Sequence, residues 1–230
     1  MKPMLPTLTF ESPNRPGWFY EVKYDGFRAI LDWNKNGIEL TSRNGKSLIP
    51  QFPEIINFLL ENDVKFQPFL PLQLDCELVL LQNPYKANFS ALQVRGRMKS
   101  AAKIAEQAEN APCRLMVFDL LELAGKPLNT LPFKKRKDKL MELFHSLEFE
   151  LLANPSNPQL LQPVTAYDDF MEIWEKVVLF DGEGIVAKNG QSPWEEGKRS
   201  LQWLKYKNWK YVNCFVTSYD KTNGYFFVSV

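Results

Sequence analysis

The chain is poor in the side chains that most often carry metal and imidazole chemistry. Of its 230 residues, one is histidine and three are cysteine. A lone His145 excludes the His-Glu-x-x-His metalloprotease site and every mechanism that needs two imidazoles, and it falls in a stretch that reads as a surface helix. Cys76, Cys113 and Cys214 are far apart, odd in number and without Cys-x-x-Cys spacing. Neither a disulfide framework nor a zinc cluster is expected, and a reducing, cytoplasmic setting fits. Long apolar runs are also missing: nothing approaches the roughly 18 uninterrupted apolar residues of a membrane span, and Met1 to Phe10 has no signal-like core. No sign of charge dominates, with 28 Lys+Arg against 27 Asp+Glu, so any nucleic-acid contact must come from local clusters. With 45% hydrophobic residues the chain is long enough to bury a core without staples.

The periodicities give a mixed architecture. Phe27, Ala29, Leu31 and Trp33 alternate with more polar neighbours, Asn34-Lys35-Asn36-Gly37 turns, and Ile38, Leu40 and Ser42 alternate back, which is an antiparallel hairpin. Phe52 to Asn62 carries apolar residues at helical spacing behind a proline suited to a first turn. Leu72 to Leu81 and Cys113 to Leu123 are strand-length apolar runs, separated by an Ala-rich, charged stretch, Ser100 to Asn110, that reads as a surface helix. Pro132 to Leu147 and Tyr167 to Phe180 read as further helices, and Asn154 to Pro163 as a proline-rich linker. The fold class is α+β with mostly antiparallel strands and flanking helices, not an alternating dinucleotide-binding sheet. After Asn208 a hairpin is expected, Cys214 to Ser218 and Tyr225 to Val230 around a Lys221-Thr222-Asn223-Gly224 turn.

Two apparent motifs are decoys. Gly45-Lys46-Ser47 imitates the end of a P-loop, but Leu40 stands where that motif needs its first glycine, and the context is a strand entering a turn. Asn88-Phe89-Ser90 is a formal glycosylation sequon that a cytosolic chain would never present to the transferase.

The segment Glu21-Val22-Lys23-Tyr24-Asp25-Gly26-Phe27-Arg28 is different in kind. It sets a lysine at a strand end beside an acid and a glycine that lets a ligand approach the backbone. Alone, a Lys-x-Asp-Gly tetrapeptide reads more readily as a turn. Further along come Ser42-Arg43-Asn44-Gly45, Leu74-Asp75-Cys76-Glu77, Val117-Phe118-Asp119-Leu120, Asp181-Gly182-Glu183-Gly184-Ile185-Val186-Ala187-Lys188 and Trp203-Leu204-Lys205-Tyr206-Lys207. Singly, Glu77 reads as a solvated strand end, Phe118 as a core aromatic, Glu183 as a turn acid, and Lys188, Arg199, Lys205 and Lys207 as a basic face. As an ordered set they do not arise readily by chance.

That set resembles the covalent nucleotidyltransferases, which comprise ATP-dependent DNA ligases, RNA ligases and mRNA capping enzymes. It is most similar to the ligase module of bacterial end-joining ligases of the ligase D type, over nearly the whole chain from about Trp18 onwards. The resemblance implies an ATP-grasp-like nucleotidyltransferase domain at 1–210 and the start of an OB-fold at 211–230. It implies ATP with Mg²⁺ or Mn²⁺ as cofactors and nicked or broken double-stranded DNA as substrate. Lys23 would attack the α-phosphate, AMP would pass to a 5′-phosphate, and the 3′-hydroxyl would seal the strand. A lysine is protonated at neutral pH and attacks only where cationic neighbours or desolvation free its lone pair, a field that Lys205, Lys207 and a divalent metal would supply. Lys205 and Lys207 are assigned to the α-phosphate, and Glu77 and Glu183 to the metal or the ribose. Glu21 is placed near the adenine, Arg28 and Arg43 near sugar and phosphates, Phe118 and Val186 on the faces of the base. Lys188 is assigned to the nucleotide, and Arg199 to the phosphates or the metal-site acid.

Two basic clusters lie outside those motifs. Lys134-Lys135-Arg136-Lys137 with Lys139 reads as a solvated helix face first and a phosphate-backbone contact second. Arg95-Gly96-Arg97, between two expected elements, resembles a basic loop of this ligase group, which implies a contact to DNA. Members of this family carry a complete OB-fold after the lysine-bearing strand, and about twenty residues cannot build one. The expectation is therefore a chain cut short or working with a partner: an end-binding protein, or a separate OB-fold or polymerase module, with slow turnover and poor sealing on its own. An RNA ligase or capping-type enzyme, and a non-catalytic DNA-end-binding module, are the alternatives.

Overall fold

The computed structural model describes residues 1–229, so Val230 at the end of the expected last strand lies outside the described residues. Strands β1 (Leu5–Thr9), β2 (Trp18–Val22), β3 (Phe27–Asn34) and β4 (Gly37–Ser42) come first, followed by helices α1 (Pro53–Glu61) and α2 (Asp63–Phe66). Next are β5 (Leu72–Val79), β6 (Leu81–Asn83), β7 (Lys86–Ala87), α3 (Phe89–Gly96), α4 (Ala101–Asn110) and β8 (Arg114–Leu123). Then follow β9 (Lys126–Pro127), α5 (Phe133–Ser146), β10 (Leu161–Pro163), α6 (Phe170–Leu179), β11 (Gly184–Asn189) and β12 (Arg199–Lys207). Among the described residues the hairpin β13 (Phe215–Asp220) and β14 (Tyr225–Ser229) pairs only with itself.

Two sheets position the site. One has the order β1-β12-β11-β2 and the other β10-β8-β5-β3-β4, with β9 beside β8. Pairing is antiparallel except for β1 on β12 and β10 on β8, in keeping with the mostly antiparallel expectation. Side chains alternate across a strand, so each sheet has two distinct faces. Tyr20, Val22, Ile185, Ala187 and Leu204 on the outer face of the first sheet pack under α6 through Phe170, Ile173 and Val177. Asp169 caps that helix by accepting from the amides of Met171 at 2.7 Å and Glu172 at 3.4 Å, a contribution of about 1 kcal/mol. The outer face of the second sheet, with Leu31, Leu74, Cys76, Leu115 and Val117, buries against α1 and α5 through Ile55, Leu59, Leu140 and Phe144. Each fully buried side chain of this size contributes roughly 1.5–3 kcal/mol.

Two readings of the sequence are corrected here. Arg95 does not lie in a loop: α3, capped by the Asn88 side chain, runs through it. Its guanidinium is buried, donating to Glu54 at 2.9 Å and to the Gln51 carbonyl at 2.8 Å. Only Arg97, just past the helix end, is exposed. The basic run at the start of α5 is not a solvated face either. Lys134 and Lys135 are exposed, whereas Arg136 and Lys137 are buried.

Candidate active site

The inner faces of the two sheets enclose a cavity of about 200 Å³. Alternation explains its lining. Glu21 and Lys23 fall on one face at and just past the end of β2, Val186 and Lys188 on one face of β11, and Trp203 and Lys205 on one face of β12. Register aligns them, with Val186 opposite both Glu21 and Lys205, and Lys188 opposite Trp203. Across the gap the second sheet supplies Arg28, Glu77 and Phe118. Arg43 and Arg199 close the rim.

The nucleophile candidate stands at the open end. Lys23 Nζ is ion-paired with Glu183 Oε2, and Lys207 reaches Glu183 Oε1 at 3.4 Å. Both Lys23 and Glu183 are about one-fifth exposed, so a reactant can reach them. The Lys23 amide donates to the Gly184 carbonyl at 2.9 Å, where Gly184 has φ +150°, a conformation that favours glycine. Asn208 fixes the loop from the other side, its amide donating to Glu183 O at 2.8 Å and its side chain to Gly182 O at 3.1 Å. Lys86 and Lys210 hold Asp181 and depress its carboxyl to about 2, which anchors the turn that carries Glu183. Lys205 sits below the ordinary lysine value, through burial first and then the charges of Lys23, Lys207 and Arg199. The three cationic neighbours add to the effect of burial.

Acids face these cations. Burial pushes the Glu77 carboxyl up to about 7, against Arg28 and Lys23 and with help from Asp75 and Glu183. Asp25 is also raised, by burial and then by Glu183. Gly26 permits the close passage that brings these acids together, because a Cβ there would stand 2.9 Å from Glu77 Cγ and Val79 Cγ1. Among the described residues no group of three His, Cys, Asp or Glu is gathered closely enough to hold an ion unaided. One or two hard carboxylates completed by substrate phosphates and water suit Mg²⁺.

The closed end is built from buried charge. Glu21, 1% exposed, is ion-paired through Oε1 with Lys137 and through Oε2 with Lys188 at 2.5 Å. Lys188 lies 4.1 Å from the Trp203 ring centroid, 4.5 Å from Phe118 and 4.7 Å from Phe133. Burial lowers its ammonium to about 8, opposed by Glu21. Arg28 lies over Phe118 at 4.4 Å and is fixed by a bidentate pair with Asp75, at 2.6 and 2.7 Å. Asp75 also accepts from the Trp194 indole at 2.8 Å. Arg136 makes a second bidentate pair with Asp119, both bonds 2.8 Å.

Glu21, Lys23, Arg28, Arg43, Glu77, Phe118, Val186, Lys188, Arg199 and Lys205 all line the cavity, and Glu183 and Lys207 join it through Lys23. Arg199 is exposed and donates to the Pro6 carbonyl at 2.8 Å. Arg95 is instead buried in an ion pair with Glu54, away from the cavity lining. The sequence reading missed Asp75, Asp119, Arg136, Lys137, Trp194 and Trp203 as supports. A signal existed for two of them: Phe133, Arg136, Lys137, Leu140, Leu143 and Phe144 follow one helical stripe, so Arg136 and Lys137 interrupt an apolar face.

A family model described as "ATP dependent DNA ligase domain" matches residues 5–207. The Bacillus subtilis protein named "Bifunctional non-homologous end joining protein LigD" is 44% identical over 99% of this chain, which spans 37% of that relative. DNA ligase C1 of Mycolicibacterium smegmatis is 28% identical over 95% of the chain and 60% of its own length. Among solved structures, a mycobacterial DNA ligase D complexed with ATP and MES superposes with a TM-score of 0.71 at 23% identity, over 91% of this chain and 61% of that one. The chain thus spans little more than a third of the LigD relative, and over residues 5–207 it belongs to the ATP-dependent DNA ligase domain family.

Proposed function

We propose that this chain carries the adenylation site of an ATP-dependent DNA ligase that acts in DNA repair by end joining. The observation that carries this reading is one lysine, Lys23, at the open end of a cavity with Glu183, Lys205 and Lys207 around it and a buried aromatic floor beyond. The base lies against Phe118 and Val186 at the closed end, and the α-phosphate meets Lys205 and Lys207. Lys23 Nζ bonds to the α-phosphorus as the bond to pyrophosphate breaks, and the lysine proton passes to water, which reaches this partly exposed end. The phosphoryl group needs electrostatic clamping more than covalent help, and the lysines are already in place to give it. Glu77 and Glu183 would hold Mg²⁺ or Mn²⁺, which neutralises phosphate charge and steadies the leaving group. AMP then moves to the 5′-phosphate of a DNA break, the 3′-hydroxyl displaces it, and Arg97 is a candidate contact to that DNA. An end-binding protein, an OB-fold or a polymerase module are the partners that this reading calls for.

The test is incubation with α-labelled ATP or GTP and Mg²⁺, followed by denaturing electrophoresis, with Lys23→Ala alongside. Label from ATP alone that vanishes in Lys23→Ala is expected. Label from GTP, or label that survives the substitution, would contradict the reading.

A further inference from the structure

Lys137 lies outside every motif that singled out the nucleotide site, yet three acceptors converge on its ammonium. Nζ donates to the Val164 carbonyl at 2.6 Å and the Phe118 carbonyl at 3.3 Å, and it is ion-paired with Glu21 Oε1. Its side chain is 6% exposed. An ammonium has three donors and no acceptor, so this one side chain ties α5 to β8, to the residue that follows β10, and to β2. Its own position is set by its neighbour. Arg136 is locked to Asp119 and also donates to the Leu131 carbonyl at 2.5 Å and the Ser192 carbonyl at 3.0 Å.

The two residues held in this way, Glu21 and Phe118, both line the cavity. Lys188 takes the second oxygen of Glu21, so the carboxylate is pulled from two sides. A carboxylate offers about four acceptor sites, and Glu21 lines the cavity while it is held between these two lysines. A base whose edge carries an amino donor complements the acceptor sites that remain.

We infer that Lys137 is a positioning residue for nucleotide selection: acting through Glu21 and the Phe118 main chain, it sets the base end of the pocket without touching the nucleotide. Removing its charge leaves Lys188 as the one ion-pair partner of Glu21 among the described residues. The two then close on each other, and the acceptor is withdrawn from the base. The phosphate-end lysines stand just past β2 and on β12 and keep their places, so the effect falls on nucleotide affinity and choice rather than on the chemical step. This inference rests on the adenylation reading above.

The experiment measures the rate of covalent nucleotide attachment against concentration for ATP and for purine riboside triphosphate, which lacks the amino donor. It compares the wild-type chain with Lys137→Gln and Lys137→Arg, with thermal melting of each. Glutamine keeps amide donors on a side chain one bond shorter and carries no charge. Lys137→Gln should raise KM for ATP about tenfold, change the saturating rate less than about threefold, and bring the preference for ATP over purine riboside triphosphate close to one. Lys137→Arg, which keeps the charge with altered geometry, should fall between. Unchanged KM and preference in a folded Lys137→Gln would overturn the inference, as would a loss confined to the saturating rate. Should Lys137→Gln melt below the assay temperature, the arginine variant decides: a wild-type preference there overturns the proposal, and a reduced one supports it. A wild-type chain that takes up no nucleotide would instead defeat the adenylation reading, so the two failures are distinguishable.

Discussion

The two ends of the cavity are built on opposite principles. At the open end Lys23, Glu183 and Lys207 are partly exposed, and the Lys23–Glu183 pair lies where a reactant can replace one partner with another. At the closed end the Asp119–Arg136 pair is fully buried, and Glu21, Lys137 and Lys188 are nearly so. Exposed pairs contribute little to stability, whereas breaking a buried pair leaves an uncompensated charge that costs about 3–5 kcal/mol. The lesson is a division of labour: the open end keeps charges available for chemistry, and the closed end uses charges to hold a shape.

Substitutions should separate these roles, and the largest effect is expected at the open end. Lys23→Ala should abolish covalent nucleotide attachment while leaving the melting temperature within a few degrees of wild type, as checked by intact mass and calorimetry. The converse is expected of Arg136→Met, which strands Asp119 in the interior and should lower unfolding free energy by about 3–5 kcal/mol in denaturant titration. Comparable stability of that variant would break the comparison. Next in size is Lys205→Ala, for which the rate of attachment should fall roughly 10²–10³-fold with unchanged stability, the scale expected for loss of one group that meets developing phosphate charge.

A pH titration sharpens the same contrast. Glu77 has an ordinary value of 4.5 and is pushed up to about 7 in the folded chain. Between those values the native state binds more protons than the unfolded state, so the stability that Glu77 contributes is full below 4.5 and is lost as pH rises toward 7. Glu77→Gln should remove that slope, measured as unfolding free energy against pH. Smallest of all is Arg97→Ala, which should weaken binding of nicked DNA by about 1 kcal/mol or less and leave nucleotide attachment intact. Arg95→Ala, by contrast, should destabilise the fold, because it strands Glu54.

Which parts were legible in the sequence follows from the same division. The lysines of the open end were, because Lys23, Lys205 and Lys207 sit in short motifs whose order resembles a known family, with Lys205 and Lys207 one alternation apart on β12. Helices α1, α5 and α6 were also visible, since each presents an apolar stripe over two or more turns, and α4 was visible from its Ala-rich composition. The closed end was much less so. Lys137 and Glu21 are 116 positions apart, and Trp194 and Asp75 are separated by 119, so local pattern cannot pair them. A basic run was read as solvated because charge favours the surface on average, and only the phase of Arg136 and Lys137 against Leu140 and Phe144 argued otherwise. Helix α3 escaped notice because its eight residues carry a weak apolar face and its burial depends on Arg95 reaching Glu54. Strand β1, in a proline-containing terminus, is specified by its partner β12 rather than by its own alternation.

The most direct test of the central claim is to map where nucleotide becomes attached. The chain would be incubated with ATP and Mg²⁺, digested at neutral pH to preserve an acid-labile phosphoramidate, and sequenced by mass spectrometry. The account predicts one AMP group per chain, on Lys23. AMP on Lys205, Lys207 or any other residue, or stoichiometric attachment that persists in Lys23→Ala, would contradict it.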